Sequence, residues 1–359
     1  MRVVSETLVP WDRTLDRPVG GALARRHVRA GVVLQLRDET GRIGQGEAAP
    51  LPGYSSETLS DCTASLRNLH ATLSVVDPGD PLAALGTLAA LPSAARFALE
   101  TALCDLAGQR RGVSLAVCLG GVARPGAIAL HAQPGAATDP ELVAEARRLV
   151  SRGFRTLKVK IGGDFDRERA ALVRLREAVG PGVSLRLDAN GAWSLDGARR
   201  RLADLAPLAP EFVEQPVPGA DLLALGPCAV PWAADESLVD PSVAEALLGA
   251  GPSGGCAAFV VKPALLGGLS AARSLALRAQ ARGFGVVVTH LFDGPVGLAA
   301  ACALALSLPS PPWACGLAAH PGLAGGAAAV RYLTAGGTVV SATDAPGLGV
   351  GLMGPGEGS

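Results

Sequence analysis

Between Thr156 and Lys262, five short apolar runs each deliver a group able to bind a metal or move a proton. Thr-Leu-Lys-Val-Lys-Ile-Gly ends at Gly162, Ser-Leu-Arg-Leu-Asp-Ala-Asn at Asn190, Phe-Val-Glu-Gln-Pro at Pro216, Trp-Ala-Ala-Asp-Glu-Ser at Ser237 and Ala-Phe-Val-Val-Lys-Pro at Pro263. Intervening stretches such as Asp164 to Ala178 and Ser270 to Arg282 carry apolar residues at helical spacing. Strand alternating with helix predicts parallel βα units. In a barrel built from such units the C-terminal strand ends converge on one mouth. Lys158, Lys160, Asp188, Glu214, Asp235 and Lys262 are therefore read as one site.

With 359 residues the chain is long enough for a barrel plus a smaller domain. Residues 1–125 predict a separate α+β unit. Arg29 to Arg37 alternates as a strand, Asp38 to Gly41 supplies a turn, and Arg42 to Glu47 returns. Ser56 to Leu73 and Ser93 to Gln109 read as helices, and Gly120 to Gly126 as the junction. Barrel strands are expected near 128–133, 156–161, 184–188, 212–214, 232–235, 259–262 and 286–289, with a weakly marked eighth at 314–317. The barrel is assigned 126–320. The remainder, 321–359, is expected to return to the first domain through short strands at 329–333 and 338–340.

Lysine plus arginine equals aspartate plus glutamate at 32 each, which points away from nucleic acid and anionic membranes and toward a small molecule. Seven scattered cysteines without a Cys-x-x-Cys pair fit neither a zinc motif nor a disulfide framework, so a reducing, cytoplasmic setting is expected. Charge near the first residues argues against a signal peptide, and Leu298 to Leu306 is too short to span a bilayer. Assembly into a homo-oligomer is left open.

Asp188, Glu214 and Asp235 are 26 and 21 residues apart, about one βα unit each. Three hard carboxylate ligands suit octahedral Mg2+ better than zinc, with Mn2+ able to substitute. Any one of them alone could be a helix cap or an ion pair; their shared place at successive strand ends favours the joint reading. Lys158 and Lys160, two apart on a strand, face the same side. Lys262 comes from the far side of the barrel. Two lysines across a metal-bound carboxylate suit abstraction and return of an α-proton.

Lys158-Val-Lys160, Leu187-Asp-Ala-Asn190, Val213-Glu-Gln-Pro216, Ala234-Asp-Glu-Ser237 and Val261-Lys-Pro263 followed by Gly267-Gly268 resemble the enolase superfamily, in its muconate-lactonising subgroup. The resemblance implies an α/β fold: a modified TIM barrel of (β/α)7β type, with an N-terminal α+β capping domain completed by the C-terminal tail. It also implies Asp188, Glu214 and Asp235 as metal ligands, Lys160 and Lys262 as the acid/base pair, Lys158 tuning Lys160, and Asn190 and Glu236 behind the ligands. Gly46-Glu-Ala-Ala-Pro-Leu-Pro-Gly-Tyr-Ser-Ser-Glu-Thr58 and Pro92 to Glu100 are similar to the o-succinylbenzoate synthases within that subgroup. These dehydrate 2-succinyl-6-hydroxy-2,4-cyclohexadiene-1-carboxylate through an enediolate, in menaquinone synthesis. Phe292-Asp-Gly-Pro-Val-Gly297 departs from the serine-rich form common after the seventh strand.

Tyr54, His290, Asp293 and Gly294 are the candidates for contact with a small carboxylate substrate. The same site could instead racemise N-succinylamino acids or epimerise dipeptides, although Cys315 to His320 lacks the Asp-x-Asp element of dipeptide epimerases. Muconate cycloisomerisation and a non-catalytic metal-binding protein are the weaker alternatives. His290 and His131 also admit a reading as packed, hydrogen-bonded strand histidines. Arg25 and Arg26 could meet a succinyl carboxylate or lie in a solvated loop.

Overall fold

A computed structural model describes residues 1–19, 26–73, 75–87, 91–122, 126–318, 320, 323, 331–333 and 337–353. The chain begins with β1 (Val3–Val19), β2 (Arg26–Asp38) and β3 (Ile43–Ala48), an antiparallel sheet in that order. The expected hairpin is β2–β3. Its turn is set by Asp38, whose Oδ1 accepts from Thr40 N at 2.9 Å, Thr40 Oγ1 at 2.7 Å and Arg42 N at 3.0 Å. The long β1 was absent from the sequence reading. Its Pro10 weakens the strand signal, yet is tolerated because β1 forms the edge of the sheet.

Next come α1 (Leu59–Ser65), α2 (Leu69–Thr72), α3 (Ser93–Arg111) and α4 (Leu115–Cys118). The single helix expected over 56–73 is broken because Asn68 is left-handed, with φ 62°. The long α3 buries Phe97, Leu99, Leu103 and Leu106. It packs so tightly on β3 that a Cβ at Gly46 would collide with Ala98 O.

The barrel elements follow as β4 (Ile128–Ala129), β5 (Ala132–Ala136), α5 (Leu142–Ser151), β6 (Thr156–Lys160), α6 (Phe165–Val179), β7 (Ser184–Asp188) and α7 (Leu195–Leu205). They continue through β8 (Phe212–Glu214), α8 (Asp221–Leu225), β9 (Trp232–Ala234), α9 (Pro241–Ala250), β10 (Cys256–Val261), α10 (Leu269–Ala281), β11 (Gly285–Val288) and α11 (Pro295–Leu306). Strands β5 to β11 form one parallel seven-stranded sheet in sequence order.

An eighth segment closes it. Trp313 N donates to Val286 O at 2.8 Å and Gly316 N to Val288 O at 2.9 Å, while Cys315 N donates to Ala129 O at 2.8 Å and His131 N to Cys315 O at 2.9 Å. Seven βα units and one further strand segment thus give the (β/α)7β barrel. The first barrel strand lies at 132–136, slightly later than expected.

The last strand, β12 (Val339–Val340), pairs antiparallel with β4, so this part of the tail joins the barrel edge instead of the first sheet. Ala329 and Val330 lie outside the described residues. The return to the cap comes later. Leu348 N donates to Asp105 Oδ1 at 2.7 Å, Gln45 Nε2 to Gly351 O at 2.9 Å and Met353 N to Gln45 Oε1 at 2.8 Å. Helix α11 is buried along nearly its whole length, which explains its apolar composition on every face. Among the described residues no helix is long and apolar enough to cross a membrane.

Candidate active site

Strand register assembles the site. Lys160 on β6 pairs with Asp188 on β7, and Asp188 with Glu214 on β8. Asp235 and Lys262 each follow directly on the last residue of the next two strands, β9 and β10. Lys158 lies two residues before Lys160 and faces the same interior. Its Nζ donates to Glu214 Oε1 at 2.6 Å and lies 3.0 Å from Asp188 Oδ2. Lys160 Nζ lies 3.5 Å from that same Asp188 oxygen and donates to Asn190 Oδ1 at 2.9 Å. Asn190 Nδ2 in turn donates to Glu236 Oε1 at 2.9 Å. On the other side Lys262 Nζ pairs with Asp235 Oδ2.

The electrostatics follow from burial. Asp188, Glu214 and Asp235 are all buried. Burial and the neighbouring carboxylates outweigh Lys158 and push Glu214 up to about 8. Burial likewise raises Asp235. At Asp188 burial works the other way from Lys158 and Lys160, and the two ammoniums win, holding it below the usual carboxylate range. Burial opposes the charges of Lys158 and Lys262, but their carboxylate partners prevail and keep both cationic.

Gln215, whose role the sequence reading missed, ties two of the strand ends together. Its Oε1 accepts from Asp235 N at 2.9 Å and Ser237 N at 3.3 Å, and its Nε2 donates to Val217 O at 2.9 Å and Ser237 Oγ at 2.5 Å. The residue sits in the left-handed region, φ 41°. A polar amide between an acid and a proline at a strand end was the only available signal.

Of the proposed substrate contacts, Tyr54 reaches the site, with Lys262 Nζ 5.8 Å from its ring centroid. The other three are used elsewhere. His290 Nδ1 accepts from Asp293 N at 3.1 Å and Nε2 lies 3.2 Å from Ala318 O, so both ring nitrogens serve the backbone. Burial lowers the ring's affinity for a proton. Asp293 Oδ1 lies 3.8 Å from Arg29 Nη2, and Gly294 N donates to Glu47 Oε1 at 2.5 Å. These groups close the seam between cap and barrel, because Arg29 and Glu47 of the first sheet reach across it. His131 is buried against Arg186, with Nδ1 3.2 Å from Arg186 Nη1, which suits the packed reading. Arg25 lies outside the described residues; Arg26 starts β2.

The donors suit a hard divalent cation. Asp188, Glu214 and Asp235 are all buried, and the buried Glu236 Oε2 has no hydrogen-bond partner among the described residues. Such an excess of buried carboxylate oxygen is relieved by a cation. Among the described residues no three acidic, His or Cys side chains stand gathered around a common point, because Lys158 lies between Asp188 and Glu214. The carboxylates nevertheless place oxygen atoms at three consecutive strand ends.

Residues 141–354 match the family model "Enolase C-terminal domain-like", and residues 14–106 match "MenC, N-terminal domain". An L-Lys-D/L-Arg epimerase of Methylococcus capsulatus is 33% identical over 82% of this chain and 84% of its own. An o-succinylbenzoate synthase of Thermobifida fusca is 40% identical over 52% of this chain and 59% of its own. The crystal structure of the Methylococcus capsulatus dipeptide epimerase with Mg and L-Arg-D-Lys superposes with a TM-score of 0.80 at 28% identity, covering 98% of this chain and 99% of that one. With the barrel model matching more than half of the chain and an epimerase relative aligned along most of both lengths, the chain belongs to the enolase superfamily.

Proposed function

We propose that this enzyme is an o-succinylbenzoate synthase, dehydrating 2-succinyl-6-hydroxy-2,4-cyclohexadiene-1-carboxylate in menaquinone synthesis. The observation that carries the reading is the pairing of a complete lysine–carboxylate site with a stretch at the eighth strand, Cys315 to His320, whose sequence offers no carboxylate for a dipeptide's amine. The likeness of Gly46 to Thr58 to the synthases, and the Thermobifida relative, support it further.

Asp188, Glu214 and Asp235 would hold Mg2+, or Mn2+ in its place, which supplies positive charge to the substrate carboxylate as negative charge builds there. Lys160 takes the proton from the carbon bearing that carboxylate, giving an enediolate. The new ammonium then returns its proton to the departing hydroxide, so water leaves, the carbon–oxygen bond breaks and the ring becomes aromatic. Lys262, kept cationic by Asp235, steadies the charge from the opposite side. Asn190 holds Lys160 through its Nζ, and Glu236 holds Asn190. Tyr54 contributes an aromatic wall above Lys262. Seven free thiols agree with a reducing, cytoplasmic setting.

A second reading keeps the site and changes the substrate. Lysines from two separate strands can serve opposite faces of one carbon, as racemisation of an N-succinylamino acid or epimerisation of a dipeptide requires, and the Methylococcus relative favours it. Purified protein should convert the cyclohexadiene substrate to o-succinylbenzoate with magnesium, lose the activity to chelator and regain it on adding the metal back. Turnover of dipeptides or N-succinylamino acids with none of the cyclohexadiene substrate would replace the proposed reaction by the second.

A further inference from the structure

Two barrel helices at the mouth lack N-caps of their own. Helix α10 begins after Gly268 and α11 after Gly294, and neither glycine can supply a capping side chain. The caps come from the other domain. Glu100 of α3, fully buried, accepts from Ser270 N at 2.8 Å and Ser270 Oγ at 2.6 Å, and its Oε1 lies 3.0 Å from Arg96 Nε. Glu47 of β3, also buried, accepts from Gly294 N at 2.5 Å and Gly297 N at 2.9 Å. A carboxylate at a helix N-terminus satisfies orphan N–H groups and meets the positive end of the dipole. Gly268, with φ 107°, leaves the space: a Cβ there would come within 2.6 Å of Glu100 Oε2.

The segments these carboxylates hold matter to the site. Glu100 fixes the end of the turn that starts at Lys262, where Leu265 N and Leu266 N both donate to Lys262 O at 3.0 Å and Gly268 N donates to Pro263 O at 2.9 Å. Glu47 fixes the turn after β11. Arg29 links the cap loop to the same turn: Nη1 donates to Pro50 O at 3.0 Å, Nε to Phe292 O at 2.9 Å and Nη2 to Leu291 O at 3.1 Å. Tyr54 rides on that cap loop, where its N donates to Leu51 O at 3.0 Å.

We infer that Glu100 and Glu47 cap α10 and α11 from the opposite domain, and that Glu100, through the turn from Lys262 into α10, is a positioning residue that sets Lys262 at its working height beneath Tyr54. The inference rests on Lys262 acting on substrate, as proposed above. Glu100→Gln should speed amide exchange in the segment 263–275, leave 290–300 unchanged, and lower kcat roughly tenfold with KM within about threefold. Glu47→Gln should loosen 290–300 instead. Asp105→Asn, an equally buried acid of α3 that holds the tail, should leave kcat and both segments as they are. Should Glu100→Gln fail to fold, Ser270→Ala removes one of the same bonds more gently and should shift exchange and kcat in the same direction. Faster local exchange with unchanged kcat would overturn the positioning role, and unchanged exchange would overturn the cross-domain cap itself. If the wild type turns over dipeptides or N-succinylamino acids instead of the cyclohexadiene substrate, the proposed reaction fails and kcat is read on those substrates, keeping the two failures apart.

Discussion

Glu47 sets two effects against each other, and its titration decides which wins. The Gly294 and Gly297 amides and Arg29 favour the ionised carboxylate, while burial and then the Asp293 carboxylate disfavour it. Burial prevails, and the group is pushed up from 4.5 to about 7. A raised carboxyl pKa means that the folded protein holds the proton more tightly than the unfolded chain. Its contribution to stability is therefore complete below 4.5 and is lost as the pH rises through about 7. At about 1.4 kcal/mol per tenfold, that interval amounts to roughly 3 kcal/mol, and a side chain this buried has no solvent screening to reduce it. Glu47→Gln cannot titrate, and every other group is common to both proteins. In urea unfolding, the stability advantage of wild type over the variant should thus shrink by up to about 3 kcal/mol between pH 4.5 and 8. His290 and Asp293 lie on the same turn in both proteins, and burial lowers the proton affinity of the His290 ring. A difference that stays flat, or grows with pH, would mean that the helix terminus and Arg29 outweigh burial, and the reasoning fails.

Lys160→Ala should lower turnover by on the order of 10³-fold while circular dichroism and the thermal midpoint stay near those of wild type; retained turnover removes Lys160 as the base. Gln215→Ala leaves Asp235 N and Ser237 N without their side-chain acceptor, so it should cost about 1–3 kcal/mol in chemical unfolding. The same variant should weaken magnesium binding by roughly 10–100-fold by calorimetry, because Asp235 loses its alignment with Glu214. Gly46→Ala forces a methyl group into the Ala98 carbonyl and should abolish soluble expression or lower the thermal midpoint sharply; a variant of wild-type stability would show that α3 can move off β3.

The charged strand ends were legible because a β-strand has a short, strict period. An apolar run that closes on Asp188, Glu214 or Lys262 has few other uses for a charge there, and the distances between runs match the length of a βα unit. Lys158 and Lys160 could be placed on one face for the same reason. The hairpin at Asp38 was legible from its turn chemistry. The eighth strand was barely visible because the short stretch Ala314-Cys-Gly-Leu317 carries almost no alternation, and β1 was hidden by Pro10.

The seam between cap and barrel left no trace of this kind. Nothing near Glu100 points to Ser270, 170 residues away, and nothing near Glu47 points to Gly294. His290, Asp293 and Gly294 looked like substrate contacts from their place after the seventh strand, yet their polar groups are consumed by the backbone, Arg29 and Glu47. The sequence by itself determined the alternation of strands and helices in the barrel and the chemistry at each strand end, since both are written in local periodicity. Which polar groups remain available to a substrate was decided only by the tertiary structure, because buried donors and acceptors must find partners wherever packing brings them, however distant along the chain.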